Sequence, residues 1–323
     1  MEQPRFVIEA AESESMAKES GLTVFQFLPS LVKSAKALAH PPISKYPVGA
    51  VALGSSGRIF FGANLEFPAL PLHHSVHAEQ FLITNLALNA EPNLNYMAVS
   101  SAPCGHCRQF FQEIRNASDI KILIMDDGSK NSAANNGGLI HNNGGNDGSN
   151  EFQSFSHLLP HRFGPDDLLD KDVPLVLEPH HNHLSFLSPP NGKNNVLPNG
   201  LNSVCDDLKD EALDAANKSH APYSECPSGL ALMDCEGKVY SGSYIESAAY
   251  NPSLGPVQAA LVAYLVRGGG GDYGRIVAAT LVEKEGAAVR QECTARLLLQ
   301  EISPKCEFKV FHCSSSLNGC KKK

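Results

Sequence analysis

The chain has 323 residues, 42% of them hydrophobic, and a formal net charge of -8. That length allows two domains with real cores, while the acidic balance excludes the basic footprint that grips a phosphate backbone. No apolar run reaches membrane-spanning length, the N-terminus resembles neither a secretory signal nor a transit peptide, and nine scattered cysteines fit free thiols in a reducing, cytosolic compartment.

Residues 1–20 are polar and acidic without periodicity and read as a flexible or weakly helical tail. From Leu28 to Ala39 apolar residues recur at helical spacing until His40-Pro41-Pro42 stops them. Val48–Leu53, a Gly-Ser-Ser-Gly turn and Arg58–Asn64 predict a β-hairpin. Val76 to Ala90 predicts a helix with Phe81, Leu82, Leu86 and Ala87 on one face, and His77 and Glu79 in its first turn. Tyr96–Ser101 is an expected strand. Pro103 suits the first position of a further helix, which Phe110, Phe111 and Ile114 continue on its buried side. Ile120–Met125 is a third strand, so the order implies a mixed sheet with helices on its faces. Between 128 and 150 the composition turns Asn/Gly-rich, with seven Asn and five Gly among residues 131–150, too polar to offset its ordering entropy. The expected division is a tail at 1–20, a domain at 21–177, a linker at 178–204, a second domain at 205–313 and a tail at 314–323.

Two short clusters carry chemistry: His77-Ala78-Glu79 and Pro103-Cys104-Gly105-His106-Cys107. One histidine and two cysteines are three zinc ligands, which leaves the fourth tetrahedral position open for water. Cys104 and Cys107 stand one helical turn apart at an expected helix N-terminus, where the dipole favours thiolates. A carboxylate two residues from the histidine is placed to move that water's protons, and this is the known signature of zinc-dependent nucleobase deaminases. A closed structural zinc would need a fourth ligand from His73, His74 or His106. A bare Cys104–Cys107 redox pair would leave Glu79 unexplained. Arg108 is placed to draw electron density from a thiolate. His180, His181 and His183 read as a solvated linker, and Gly268–Gly271 as a plain loop, because it lacks the Lys-Ser/Thr of a phosphate loop.

The second half repeats the first. At a shift of 180, His40, Pro42, Gly49, Gly57, Gly62 and Glu66 fall on His220, Pro222, Gly229, Gly237, Gly242 and Glu246. Gln112-Glu113-Ile114 matches Gln300-Glu301-Ile302 at a shift of 188. At those shifts His77, Glu79, Cys104 and Cys107 become Val257, Ala259, Glu292 and Ala295, so the copy is catalytically empty and one zinc per chain follows.

Asn64-Leu65-Glu66-Phe67, Val76-His77-Ala78-Glu79-Gln80, Pro103-Cys104-Gly105-His106-Cys107-Arg108-Gln109-Phe110 and Phe163-Gly164-Pro165-Asp166-Asp167-Leu168 resemble the two-domain, homodimeric class of cytidine deaminases. Ser241-Gly242-Ser243-Tyr244-Ile245-Glu246 and Asn251-Pro252 resemble that class's inactive second domain. The resemblance implies a duplicated α/β fold, each copy a three-layer sandwich of helices, mixed sheet and helices. It also implies hydrolysis of cytidine and deoxycytidine to uridine and deoxyuridine with release of ammonia, in pyrimidine salvage. By position, His77, Cys104 and Cys107 would hold zinc, and Glu79 would carry protons from water to N3 of the base and to the leaving amino group. Asn64 and Glu66 would bind the ribose hydroxyls, and backbone near Ala78 and Ala102 would read the pyrimidine edge. Phe163 would stack on the base in a partner subunit's site. Two departures from the family pattern are Tyr46, where Phe is usual, and Ser101, where a bulkier aromatic is usual; Tyr46 keeps an aromatic wall and Ser101 removes a ring.

Two other functions remain at this point. A deaminase of nucleotides or polynucleotides shares the zinc cluster, but the acidic balance and Glu66, a carboxylate hostile to phosphate, oppose it. A non-catalytic nucleoside binder is opposed by the intact Glu79. The partner expected is therefore a small nucleoside, with no nucleic acid and no membrane.

Overall fold

The computed structural model describes residues 4–125, 151–187 and 202–315. Strand β1 (Val7–Ile8) and helix α1 (Ala10–Glu19) precede α2 (Val24–Ala37) and the hairpin β2 (Gly49–Gly54) and β3 (Ile59–Ala63). Helix α3 (Ala78–Leu88), β4 (Leu94–Val99), α4 (Gly105–Phe110), β5 (Lys121–Ile124) and β6 (Gln153–Ser154) complete the first half. After β7 (Leu184–Phe186) the second half runs α5 (Asn202–Asn217), β8 (Ser228–Asp234), β9 (Val239–Ser243), α6 (Pro256–Val266), β10 (Ile276–Lys284), α7 (Glu292–Ile302) and β11 (Glu307–Ser315).

Two mixed sheets result, ordered β1-β3-β2-β4-β5-β6 and β7-β11-β10-β8-β9. The four strands β3-β2-β4-β5 and their counterparts β9-β8-β10-β11 share order and direction, each with a single parallel pair, β4/β5 and β10/β11. Glycines explain why the repeat keeps its spacing. A Cβ on Gly49 would stand 2.2 Å from the Lys36 nitrogen of α2, and one on Gly229 would stand 2.2 Å from the Ala216 nitrogen of α5. Gly62 meets the Ala78 carbonyl of α3 at 2.2 Å and Gly242 the Ala260 nitrogen of α6 at 2.1 Å. Gly49 pairs with Ala63 and Gly62 with Ala50, so the two glycines face opposite sides of the sheet and α2 and α3 cover opposite faces. Each half is thus a three-layer sandwich.

Four expectations need correction. The N-terminal segment is ordered: Phe6 and Ile8 are buried, Phe6 stacks on Phe81 at 5.2 Å, and α1 packs on α2. Its few apolar residues serve long-range contacts that show no local period. The helix at Pro103 begins later, with Cys104 as its N-cap at φ -69° and ψ 171°, and turns into a 3-10 segment over Phe111–Glu113. Helix α3 is buried on all sides from Ala78 to Leu86, because the sheet covers one face and α6 another. Part of the expected linker and of the C-terminal tail is strand, since Leu184–Phe186 pairs with Cys313–Ser315. The Asn/Gly-rich segment and residues 188–201 and 316–323 lie outside the described residues.

One continuous apolar cluster runs through both halves across α3 and α6, and a smaller one lies beneath α5. Among the described residues no helix is long and apolar enough to cross a membrane.

Candidate active site

Helices α3 and α4 begin side by side, and each presents its N-cap residue to the same point. His77 caps α3 and Cys104 caps α4, with Cys107 one turn further in. The His77 Nδ1 lies 3.4 Å from Cys104 Sγ and 3.3 Å from Cys107 Sγ, and the sulfurs are 3.7 Å apart. Tetrahedral zinc with ordinary bond lengths requires about 3.6 Å for N···S and about 3.8 Å for S···S. The donor set therefore fits zinc in type and in spacing. It is the one group of three metal-ligand side chains among the described residues.

The electrostatics agree with an anion-stabilising pocket. Hydrogen bonds from Cys107 and His77 pull the Cys104 thiol down to about 3. The Cys104 hydrogen bond and burial push the Cys107 thiol up. Both cysteines bind metal as thiolates, so metal binding is coupled to proton release. The Cys104 hydrogen bond raises His77.

Glu79 follows His77 by two residues on α3 and is 5% exposed. Burial pushes its carboxyl above the usual carboxylate range, with the neighbouring Cys107 opposing that rise. A carboxylate so placed takes up a proton readily.

The loop before β2 and the end of β3 form a second wall. Asn64 Oδ1 accepts from the Val48 N–H at 2.8 Å, and its Nδ2 donates to the Tyr46 carbonyl at 3.0 Å. Glu66 accepts from the Ile43 and Ser44 N–H groups, both at 2.9 Å, and from the Ser44 hydroxyl at 2.5 Å. Burial raises the Glu66 carboxyl, but these bonds outweigh it and leave it below its ordinary value. The Tyr46 hydroxyl lies 2.9 Å from Ser101 Oγ, so the two departures from the family pattern touch each other. Ala78 is the buried first residue of α3, and Ala102 is exposed in the loop before α4. Phe163 is 44% exposed, and its carbonyl accepts from Gln109 Nε2 at 2.7 Å.

Gln80 has a role the sequence did not bring out, and Arg108 departs from its expected one. Gln80, 2% exposed, accepts from the His77 N–H at 3.3 Å and donates to the Pro252 carbonyl at 3.0 Å, tying the ligand-bearing cap to the second half. The His-x-x-Gln spacing of a capping box was its available signal. Arg108 donates to the carbonyls of Pro103 and Leu158 at 2.8 and 3.0 Å, so its guanidinium braces the loop before α4 and not a thiolate.

The copy shows the same frame without the chemistry. Glu246 accepts from the Tyr223 and Ser224 N–H groups and the Ser224 hydroxyl, as Glu66 does from Ile43 and Ser44. Where the first half has His77, Glu79 and Cys107, the second has buried Val257, Ala259 and Ala295.

A duplicated helix–sheet–helix sandwich with one His-Cys-Cys site and a buried carboxylate beside it is the arrangement of the zinc-dependent deaminases. Residues 25–123 and 155–296 each match a family described as "Cytidine and deoxycytidylate deaminase zinc-binding region". Cytidine deaminase 1 of Arabidopsis thaliana is 61% identical over 97% of this chain and 99% of its own length. "Probable inactive cytidine deaminase 4" of the same plant is 39% identical over 97% of each chain. The solved cytidine deaminase of Mycobacterium tuberculosis is 25% identical over 43% of this chain and 96% of its own, with a TM-score of 0.33. The chain belongs to the cytidine and deoxycytidylate deaminase family, and zinc is the metal its site takes.

Proposed function

We propose that the chain hydrolyses cytidine and 2'-deoxycytidine to uridine and 2'-deoxyuridine, releasing ammonia. The observation that carries this is the buried Glu79 carboxylate beside an intact His77-Cys104-Cys107 set, which an inactive relative would not need. When bound there, zinc supplies the Lewis acidity that makes water nucleophilic at neutral pH. Glu79 takes a proton from the attacking water and delivers it to N3 of the base as the water oxygen bonds to C4. It then moves the second proton to the departing amino group, so one carboxylate serves as base and acid in turn.

Asn64 and Glu66 orient the sugar. Three of the roughly four acceptor positions of the Glu66 carboxylate are used within the protein, which leaves one for a ribose hydroxyl. Asn64 retains a donor and an acceptor position in the same way. Backbone groups at Ala78 and Ala102 read the pyrimidine edge, and Tyr46 walls the opening. The exposed Phe163 ring suits insertion into the site of a second copy, which makes the working unit a homodimer. Cys104, Cys107, Cys226, Cys235, Cys293, Cys306 and Cys313 are all free, which supports a reducing, cytosolic setting and a role in pyrimidine salvage.

Loss of ultraviolet absorbance, followed for cytidine, cytidine 5'-monophosphate and a cytosine-containing oligonucleotide, tests the substrate class. Cytidine should be consumed and the two phosphorylated substrates spared, because a phosphate would face the Glu66 carboxylate. Equal rates for the monophosphate would refute the nucleoside assignment.

A further inference from the structure

The N-cap of a helix ordinarily spends its side chain on the helix, accepting from the first free N–H groups. His77 caps α3 but turns its Nδ1 toward the sulfurs of Cys104 and Cys107, 3.4 and 3.3 Å away. The main chain of this ligand must therefore be held by other groups. Its carbonyl accepts the first bond of α3, from the Phe81 N–H at 2.9 Å. Its N–H donates to Gln80 Oε1 at 3.3 Å.

Gln80 is 2% exposed, and both ends of its amide are committed. A backbone N–H only donates and a proline carbonyl only accepts, so the amide has one possible orientation, with Oε1 toward His77 and Nε2 donating to the Pro252 carbonyl at 3.0 Å. That carbonyl belongs to a loop of the second half that is itself fixed. Pro252 is buried, Ser253 Oγ accepts from the Ser247 N–H at 3.0 Å, and the Ser253 N–H donates to the Tyr250 carbonyl at 2.9 Å. Leu254 and Ile245 then exchange two main-chain bonds of 2.8 and 3.0 Å. A continuous series of hydrogen bonds thus runs from the 247–254 loop, through one side-chain amide, to the main chain of a zinc ligand.

The second half supplies a comparison. Helix α6, which packs on α3, also carries a glutamine at its third position, Gln258, and it is 6% exposed. Its cap is Gly255, which has no side chain to offer a metal. Gln258 Oε1 has no partner among the described residues. Of the two glutamines, only the one behind a metal ligand reaches back to its cap.

We propose that Gln80 is a positioning residue through which the second half holds His77 in place for zinc, so that the copy without ligands of its own contributes to the metal affinity of the first. Groups that orient a metal ligand from behind typically govern affinity by about 10–100-fold. The inference concerns metal binding and is read with no substrate present, so it stands or falls independently of the deamination reading.

Zinc dissociation constants, measured by competition with a fluorescent chelator well below the unfolding temperature, test it on four variants of the full chain. Gln80→Met keeps the length and bulk of the side chain but removes both bonds, and should weaken zinc roughly tenfold. Pro252→Gly frees the backbone that presents the carbonyl and should weaken zinc in the same direction from the other side of the seam. Because the two act on one link, the double variant should bind zinc no more weakly than Gln80→Met alone. Glu113→Ala, which cuts the seam away from α3, should lower the melting temperature and leave the zinc dissociation constant at its native value. If Gln80→Met does not fold, Pro252→Gly measured against Glu113→Ala decides the matter. A native dissociation constant in Gln80→Met or in Pro252→Gly, additive losses in the double variant, or an equal loss in Glu113→Ala would overturn the proposal.

Discussion

At the level of single residues, the zinc ligands and Glu79 were legible because their spacing is local: two pairs, each within one helical turn, at two helix starts. Arg108 and Gln80 were not, since the partners that define them, Leu158 and Pro252, lie 50 and 172 residues away. Glu66 is the instructive case. Its clamp on Ile43 and Ser44 recurs at Glu246 in a half that has lost every metal ligand, so the clamp itself is a feature of the fold. The proposed ribose contact would be an added duty of the first copy. Glu66→Ala should therefore keep its zinc but raise KM for cytidine by roughly tenfold or more, as loss of a hydrogen bond to a charged group implies. Glu246→Ala should destabilise its own half and leave KM unaltered. Equal KM effects from the two would show that Glu66 acts through the fold alone.

Elements were legible where a period or a turn signal was strong, as in the hairpin and in α2. Burial of α3 on all sides was not, because a second face covered by α6 leaves no amphipathic period to read. Packing at these elements makes two predictions. Gly62→Ala would drive a Cβ into the Ala78 carbonyl at the start of α3. Overpacking of this kind costs about 1–3 kcal/mol, and here it displaces His77, so melting temperature and zinc content should fall together. Glu91, fully buried under the hairpin turn, accepts from Ser55, Ser56 and Arg58. Burial raises its carboxyl, but those bonds outweigh it and hold it below its ordinary value. A depressed carboxylate contributes stability that is full above the unfolded pKa and is lost as pH falls through the folded one. Glu91→Gln should cost about 1–3 kcal/mol at neutral pH and flatten the acid limb of the stability profile. Parallel acid limbs in the two proteins would contradict this.

Over the whole molecule, the repeat at a shift of 180 announced two like sandwiches, and its glycines mark where helices approach the sheets. The sequence could not show that the sandwiches share one core, or that Glu113 of the first half is buried against His220, Tyr223 and Ala248 of the second. Glu113→Ala strands three donors, two of them buried and worth about 1–3 kcal/mol each, so thermal unfolding should move well down while zinc content at folding temperatures stays the same. The seam supports the chemistry from behind: α3 carries His77 and Glu79 at one end and is fixed along its length by both halves. The proposed deamination rests on Glu79 as proton carrier beside a metal it does not hold. Its most direct test is zinc content and cytidine turnover measured on one sample each of the native chain and Glu79→Gln. Both should contain one zinc per chain, and the variant should lose roughly 100-fold or more in turnover. A variant that keeps its zinc and its full activity would contradict the assignment of Glu79, and a native chain with zinc but no cytidine turnover would contradict the function.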